Sequence, residues 1–326
     1  MSVSRFDLLC IGNAIVDVLA HVETSVVAEL GVTAGSMTLI DAEMAQKIER
    51  HIRIEKISGG GSAANTAVVA SKMGAKVAYL GKVADDKTGQ QFAEDVRAQG
   101  LAFPSSPLSQ EQNIPTARCI VLITPDGQRT MFTYLGACTE FTPSDVDKET
   151  VESARITYLE GYLYDKPQAQ AAFEQAAQFA RQAGNKVALT LSDTFCVERH
   201  RAAFRALVAG HIDILFANEA EILALYETSD FDSASQQIAK ETQLAVLTRA
   251  EKGAVVVAGE DRFDVPTQPV KVVDTTGAGD AFAAGFLAGL SKGRDLQKCA
   301  QLGNEAAAAI ITRVGARPED DFSLRA

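Results

Sequence analysis

The chain has 326 residues, 47% of them hydrophobic, which is ample for a sizeable core. At roughly 150 residues per domain, that length reads as two domains or one large α/β domain with an insertion. Lys+Arg total 31 against 42 Asp+Glu, and the resulting charge of −11 argues against broad binding to nucleic-acid polymers or anionic membranes.

The five cysteines (Cys10, Cys119, Cys138, Cys196 and Cys299) are scattered and contain no C-x-x-C, so neither a disulfide framework nor a structural zinc site is expected. No apolar run approaches the roughly 18 residues of a membrane span, and the N-terminus turns acidic too early for a signal peptide. The expected setting is cytoplasmic.

In chain order, Phe6–Ile11 reads as a core strand followed by Gly12-Asn13-Ala-Ile-Val-Asp17. Ligands bind at the C-terminal edge of open α/β sheets, and Asn13 and Asp17 suit a vicinal diol, since a carboxylate accepts from two adjacent hydroxyls. The plainer reading is a turn and a solvated Asp. Next comes Ser58-Gly-Gly-Gly61, opening a helix over Ala63–Met73. Here Gly60 and Gly61 let backbone approach a ligand and Asn65 can offer its amide to a hydroxyl. The alternative is a simple loop with Ser62 as helix cap.

Val77–Leu80 is a second core strand. Arg118–Thr124 and Arg129–Leu135 flank Pro-Asp-Gly-Gln and predict a hairpin outside any βαβ rhythm. It suits a small sheet serving as a lid, or equally a dimerisation hairpin. From Ile156 onward strands and helices alternate. Strands are expected at Ile156–Leu159, Lys186–Leu191, His211–Phe216 and Leu244–Thr248. Helices are expected at Gln168–Gln182, Glu198–Val208, Glu219–Tyr226 and Ser233–Glu241. That rhythm predicts a mostly parallel sheet. Asn218 and Glu221, three apart at a helix start, could hold Mg²⁺ through water; an ordinary capped helix is the alternative. His200, between Arg199 and Arg201, reads as a solvated helix start. Cys119 and Cys138 lack a visible base partner.

The strongest signal is Asp274-Thr-Thr-Gly277-Ala278-Gly279-Asp280, placed between a short β segment, Val270–Val273, and an apolar helix over Gly279–Leu290; a last helix spans Leu296–Arg313. Uncovered N–H groups at Gly277 and Gly279, with the helix N-terminus, can form an anion hole. Asp280, in the first turn, can accept a proton from an attacking hydroxyl or simply complement the helix dipole. No Gly-Lys-Ser/Thr follows, so this is not a Walker A loop.

Together these residues resemble the ribokinase-like (PfkB-type) family of carbohydrate and nucleoside kinases over nearly the whole chain. The resemblance rests on Gly-Gly-x-x-x-Asn at 60–65 and Asp-Thr-Thr-Gly-Ala-Gly-Asp at 274–280. It implies one doubly wound α/β domain over 1–326, its mostly parallel sheet flanked by helices, with a small β-sheet lid from roughly 13–24, 35–41 and 115–137. It implies transfer of the γ-phosphoryl of ATP, with Mg²⁺, to a substrate hydroxyl. Asp280 would be the base, and Gly277, Ala278 and Gly279 the anion hole. Asn13, Asp17, Gly60, Gly61 and Asn65 would bind substrate. Thr248, Gly253, Gly277, Gly279 and Asn304 would bind ATP, with Ala250 replacing a glycine of the family's nucleotide loop. Asn218 and Glu221 would organise Mg²⁺. The family often uses a monovalent cation such as K⁺ near the anion hole, and Asp274 would link to it.

Within the family the chain looks most like the adenosine kinases, through Thr133–Cys138 and Leu189–Phe195. That likeness implies phosphorylation of a nucleoside 5′-hydroxyl, adenosine first, with Tyr162, Phe132 or Phe141 against the purine. A sugar kinase acting on ribose or fructose is the alternative, and a catalytically silent ligand-binding protein is the third class. The expected partner is a small molecule, with the chain a monomer or homodimer.

Overall fold

The structure, a computed structural model, describes residues 5–318 and 322–326. The chain opens with β1 (Phe6–Ile11), β2 (Ile15–His21), α1 (Thr24–Glu29), β3 (Met37–Leu39), α2 (Ala42–His51), β4 (Lys56–Gly59), α3 (Ser62–Lys72), β5 (Val77–Leu80) and α4 (Lys87–Ala98). Next come β6 (Ala117–Ile123), β7 (Arg129–Tyr134), α5 (Lys148–Glu152), β8 (Ala154–Glu160), α6 (Pro167–Gln182), β9 (Lys186–Thr190), α7 (Thr194–His211), β10 (Ile214–Asn218) and α8 (Glu219–Tyr226). The last are α9 (Phe231–Ile238), β11 (Leu244–Thr248), β12 (Ala254–Ala258), β13 (Asp261–Val265), α10 (Ala278–Ser291) and α11 (Leu296–Ile311). Six of these helices, α2, α4, α5, α7, α9 and α11, start on an Asp whose carboxylate accepts a first-turn N–H, which accounts for part of the excess negative charge.

Eight strands form one sheet in the order β13-β12-β11-β10-β9-β8-β1-β5. Every pairing from β11 to β5 is parallel. Alternate side chains leave opposite faces of a strand, so Leu8, Cys10, Tyr79, Tyr158 and Phe216 join a core with α3, α10 and α11. Leu9, Ile11, Leu159, Leu189 and Leu215 join another with α6, α7, α8 and α9. Both faces are covered, as the near-continuous apolar strands require.

A second sheet has the order β3-β7-β6-β2-β4. Val18, Ala20, Ile120, Leu122 and Phe132 back it onto Val27 of α1 and onto Ala45 and Ile48 of α2. Its strand β4 lies outside the three segments expected for such a sheet; Lys-Ile-Ser-Gly is too short to show a period. The chain leaves the main sheet for the second through Gly12-Asn13-Ala14 and returns through Gly60-Gly61, so both crossovers lie at the main sheet's C-terminal edge.

Two local expectations need correction, and one hairpin is added. Val270–Val273 is not a strand: Val270, Val272 and Val273 are exposed, because the sheet already ends at β13 and the Val273 N–H donates to the Ile311 carbonyl instead. The antiparallel β12–β13 hairpin, which closes that edge, was not anticipated. His200 sits inside α7 at a break in helical geometry rather than at a solvated helix start, its ring 2.7 Å from the Asp165 carboxylate.

Candidate active site

The two crossovers and the start of α10 meet in one cluster. The Asp280 carboxylate accepts from Ser62 Oγ at 2.6 Å and from Asn65 Nδ2 at 3.1 Å. Burial raises its pKa, against the pull of those two bonds and of Arg317. Ser62 is therefore not the cap of α3; Gly61 occupies that position, and the Ser62 hydroxyl is turned to the acid.

The three glycines each make room for something specific. A Cβ on Gly59 would meet the Asp95 carboxylate at 2.3 Å, one on Gly60 the Asp17 carboxylate at 2.4 Å, and one on Gly61 the Asn13 carbonyl at 2.2 Å. Gly61 also has φ of +89°. The space expected to admit a ligand is thus filled largely by the protein's own polar groups, which are drawn in against the loop. Gly61→Ala is expected to lower kcat/KM by about a hundredfold, the effect of displacing positioned groups by about an ångström. A coupled ADP-release assay measures it, and a wild-type value would mean the loop can relax elsewhere.

Asp17, on β2, pairs with Ser58 and Cys119 across the second sheet. Burial pushes its pKa up to about 6, opposed by Arg317 and Arg129. Asn13 is buried, and its N–H donates to Glu160 Oε1 at 3.2 Å. Glu160, at the end of β8, also takes the Ala63 N–H on Oε2 at 2.7 Å, so one carboxyl joins the end of β1 to the first turn of α3. Burial pushes that carboxyl up to about 8. Glu160 was not singled out in the sequence, although a lone acid closing the apolar run Ile156-Thr-Tyr-Leu was a usable signal.

At α10, Gly277 is the N-cap and packs so closely on the C-terminal segment that a Cβ would lie 2.6 Å from that of Ala316. The Ala278 N–H, expected in the anion hole, donates instead to the Thr275 carbonyl at 3.2 Å. Helix geometry leaves the Gly279 and Asp280 N–H groups without an intrahelical acceptor, and the space beside Gly279 is open. Asp274 is already engaged. Its carboxylate accepts from the Thr276 N–H and hydroxyl at 3.0 and 2.6 Å, from the Gly315 N–H at 2.8 Å, and from Arg129 of β7. Burial raises its pKa, but these partners outweigh burial and hold it below the usual carboxylate range. Asp274, expected to link to a monovalent cation, pairs with the Arg129 guanidinium in this structure.

Along the same edge Asn218 and Thr248 are neighbours on adjacent parallel strands. Asn218 and Glu221 form a reciprocal cap: the Glu221 N–H donates to Asn218 Oδ1 at 2.8 Å and the Asn218 N–H to Glu221 Oε2 at 3.0 Å. Burial pushes Glu221 up to about 7. Among the described residues no group of three or more His, Cys, Asp or Glu is arranged to hold a metal directly. Hard oxygen donors at the edge fit an ion that keeps its water and phosphate ligands, as Mg²⁺ does. A Cβ on Gly253 would lie 2.2 Å from the Val265 carbonyl, so that glycine is demanded by strand packing. Ala250, where the family pattern has glycine, adopts φ of +49°. Asn304 donates to the carbonyls of Val265 and Pro266 at 3.1 and 3.3 Å, tying α11 to the end of β13.

Of the three candidate aromatics, Phe132 and Phe141 are interior core residues. Tyr162 alone of the three stands open, and burial with the charges of Asp193, Asp280 and Glu221 raises its pKa. Cys119 and Cys138 are held as thiols by burial.

A doubly wound α/β fold with a Gly-rich helix start that carries a half-buried acid in its first turn defines a phosphotransferase of the ribokinase-like class. The pfkB family carbohydrate kinase model matches residues 28–321, and the chain belongs to that family. It is 46% identical to the adenosine kinase of Sinorhizobium meliloti, with a TM-score of 0.88 over 96% of each chain. It is 43% identical to a "probable sugar kinase" of Rhizobium etli, with a TM-score of 0.90 over 98% of this chain and 97% of that one. The adenosine kinase of Saccharomyces cerevisiae is 31% identical over 94% of this chain and 95% of its own length. No helix among the described residues is long and apolar enough to cross a membrane.

Proposed function

We propose that the protein transfers the γ-phosphoryl of ATP to the 5′-hydroxyl of a nucleoside, adenosine before others. The observation that carries this reading is the half-buried Asp280 carboxylate, fixed by Ser62 and Asn65 at the N-terminus of α10. Asp17 and Asn65 hold the ribose diol, with Asn13, Gly60 and Gly61 shaping the floor. The 5′-oxygen attacks the γ-phosphorus, the bond to the β,γ-bridging oxygen breaks, ADP leaves, and the hydroxyl proton passes to Asp280. The N–H groups of Gly279 and Asp280 face the charge that develops on the transferred group. Asn218 and Glu221 would hold Mg²⁺ through water, and the ion when bound neutralises phosphate charge. Thr248, Gly253 and Asn304 border the nucleotide. The second sheet acts as a lid that excludes water.

The five free cysteines support a reducing, cytoplasmic setting. The sugar-kinase relative favours a second reading, in which ribose or a related sugar uses the same base. A panel of adenosine, inosine, guanosine, ribose and fructose with Mg-ATP separates them. AMP from adenosine is the expected product by liquid chromatography–mass spectrometry; phosphorylation of ribose but not adenosine refutes the first reading.

A further inference from the structure

The C-terminal turn after α11 brings a residue into the site that no local pattern marks. Arg317 Nε donates to Asn65 Oδ1 at 2.9 Å, Nη2 donates to the Gly60 carbonyl at 3.3 Å, and Nη1 pairs with Asp95 of α4. The side chain is largely buried, with 15% of its surface exposed. A guanidinium has five donors and no acceptor, so it can engage Asn65 only through Oδ1. That fixes which way the amide points, and Nδ2 is left facing the Asp280 carboxylate at 3.1 Å. The Gly-rich loop is built around this arginine: a Cβ on Gly59 would lie 2.8 Å from Arg317 Nη1.

We propose that Arg317 is a positioning residue for phosphoryl transfer, clamping the Asn65 amide toward Asp280 and supplying the positive charge shared by Asp17 and Asp280. The inference rests on the kinase reading above and adds to it a residue that acts through Asn65. Asp280 is in contact with Ser62 and Asn65 of α3 and within electrostatic range of Arg317, Tyr158 and Glu160 of β8, and Tyr162. Within the same range of Asp17 are Arg317, Arg129 of β7 and Cys119 of β6. Arg317 is the cation common to both carboxylates, and it favours their ionised forms.

The test uses the full chain with Mg-ATP and whichever acceptor the wild type turns over. Arg317→Gln removes clamp and charge together. Its kcat should fall at least about tenfold, as loss of a charge-assisted hydrogen bond implies. Its acid limb should move to higher pH, since Asp17 and Asp280 then take up a proton more readily. Arg317→Lys keeps the charge but lacks the planar fork, so kcat should fall while the acid limb stays. Wild-type behaviour in both variants would overturn the proposal. So would an equal fall in both with the acid limb unmoved, which is the signature of a tether alone. Should Arg317→Gln fail to fold, Arg317→Lys in an Asn65→Ala background decides. No further loss of kcat beyond Asn65→Ala supports the clamp, and an additive loss overturns it. Failure of the kinase reading shows itself separately, as a wild type that phosphorylates none of the acceptors.

Discussion

Asp280→Asn should lower kcat at least about a hundredfold, the lower range for loss of a general base. The amide keeps the carboxylate's shape and its oxygen can still take the Ser62 hydroxyl's hydrogen bond, its NH2 then meeting the Asn65 NH2, so ATP affinity should change little and adenosine affinity only modestly. The effect belongs to the chemical step because the acid sits in the first turn of α10, beside the N–H groups proposed to meet developing phosphate charge. Single-turnover kinetics with separate binding measurements distinguish the two. Wild-type-like turnover in this variant would remove Asp280 from the mechanism, and with it the role given to Ser62 and Asn65.

Asp17→Ala should lower kcat/KM for a nucleoside by at least about a hundredfold, mostly through KM. Two hydroxyl hydrogen bonds to a charged acceptor are each worth about 1.5–3 kcal/mol, and the alanine loses both. The wild type should discriminate against 2′-deoxyadenosine by about tenfold, since one of the two bonds is missing. The alanine variant should discriminate much less, because the acceptor is gone. An undiminished preference in the variant would assign the diol to another residue. The same carboxylate gives a pH dependence. Burial lifts its pKa to about 6, so it is ionised above that value and takes up a proton below it. KM for the nucleoside should therefore rise as pH falls through about 6, and a KM–pH profile measures this.

Much of the site was legible because its signals are local. Asn13, Gly60, Gly61, Asn65 and Asp280 lie in short glycine-punctuated turns or in the first helical turn these open, Asp17 lies on β2 just beyond one of them, and the fold brings these segments together at one sheet edge. What each glycine is for was not legible. Loss of a side chain announces close approach without saying to what, and here Asp95, Asp17 and the Asn13 carbonyl fill the three spaces. Asn218 and Glu221 illustrate the converse: spacing alone allowed a metal role or a cap, and the reciprocal hydrogen bonds of the cap are what the side chains make.

By itself the sequence determined the alternation of strand and helix from Ile156 onward, the two Gly-rich turns and the acid in the first turn of α10. Period and turn chemistry are set within windows of a few residues, so they survive without knowledge of the fold. Only the tertiary structure decided that the valines at 270–273 stay out of the sheet, that Arg129 answers Asp274, and that Glu160 joins β1 to α3. It also decided that Arg317 reaches Asn65 from 252 residues away. Each of these depends on where distant segments return, which is fixed by burying both faces of the main sheet and not by any neighbour in the chain.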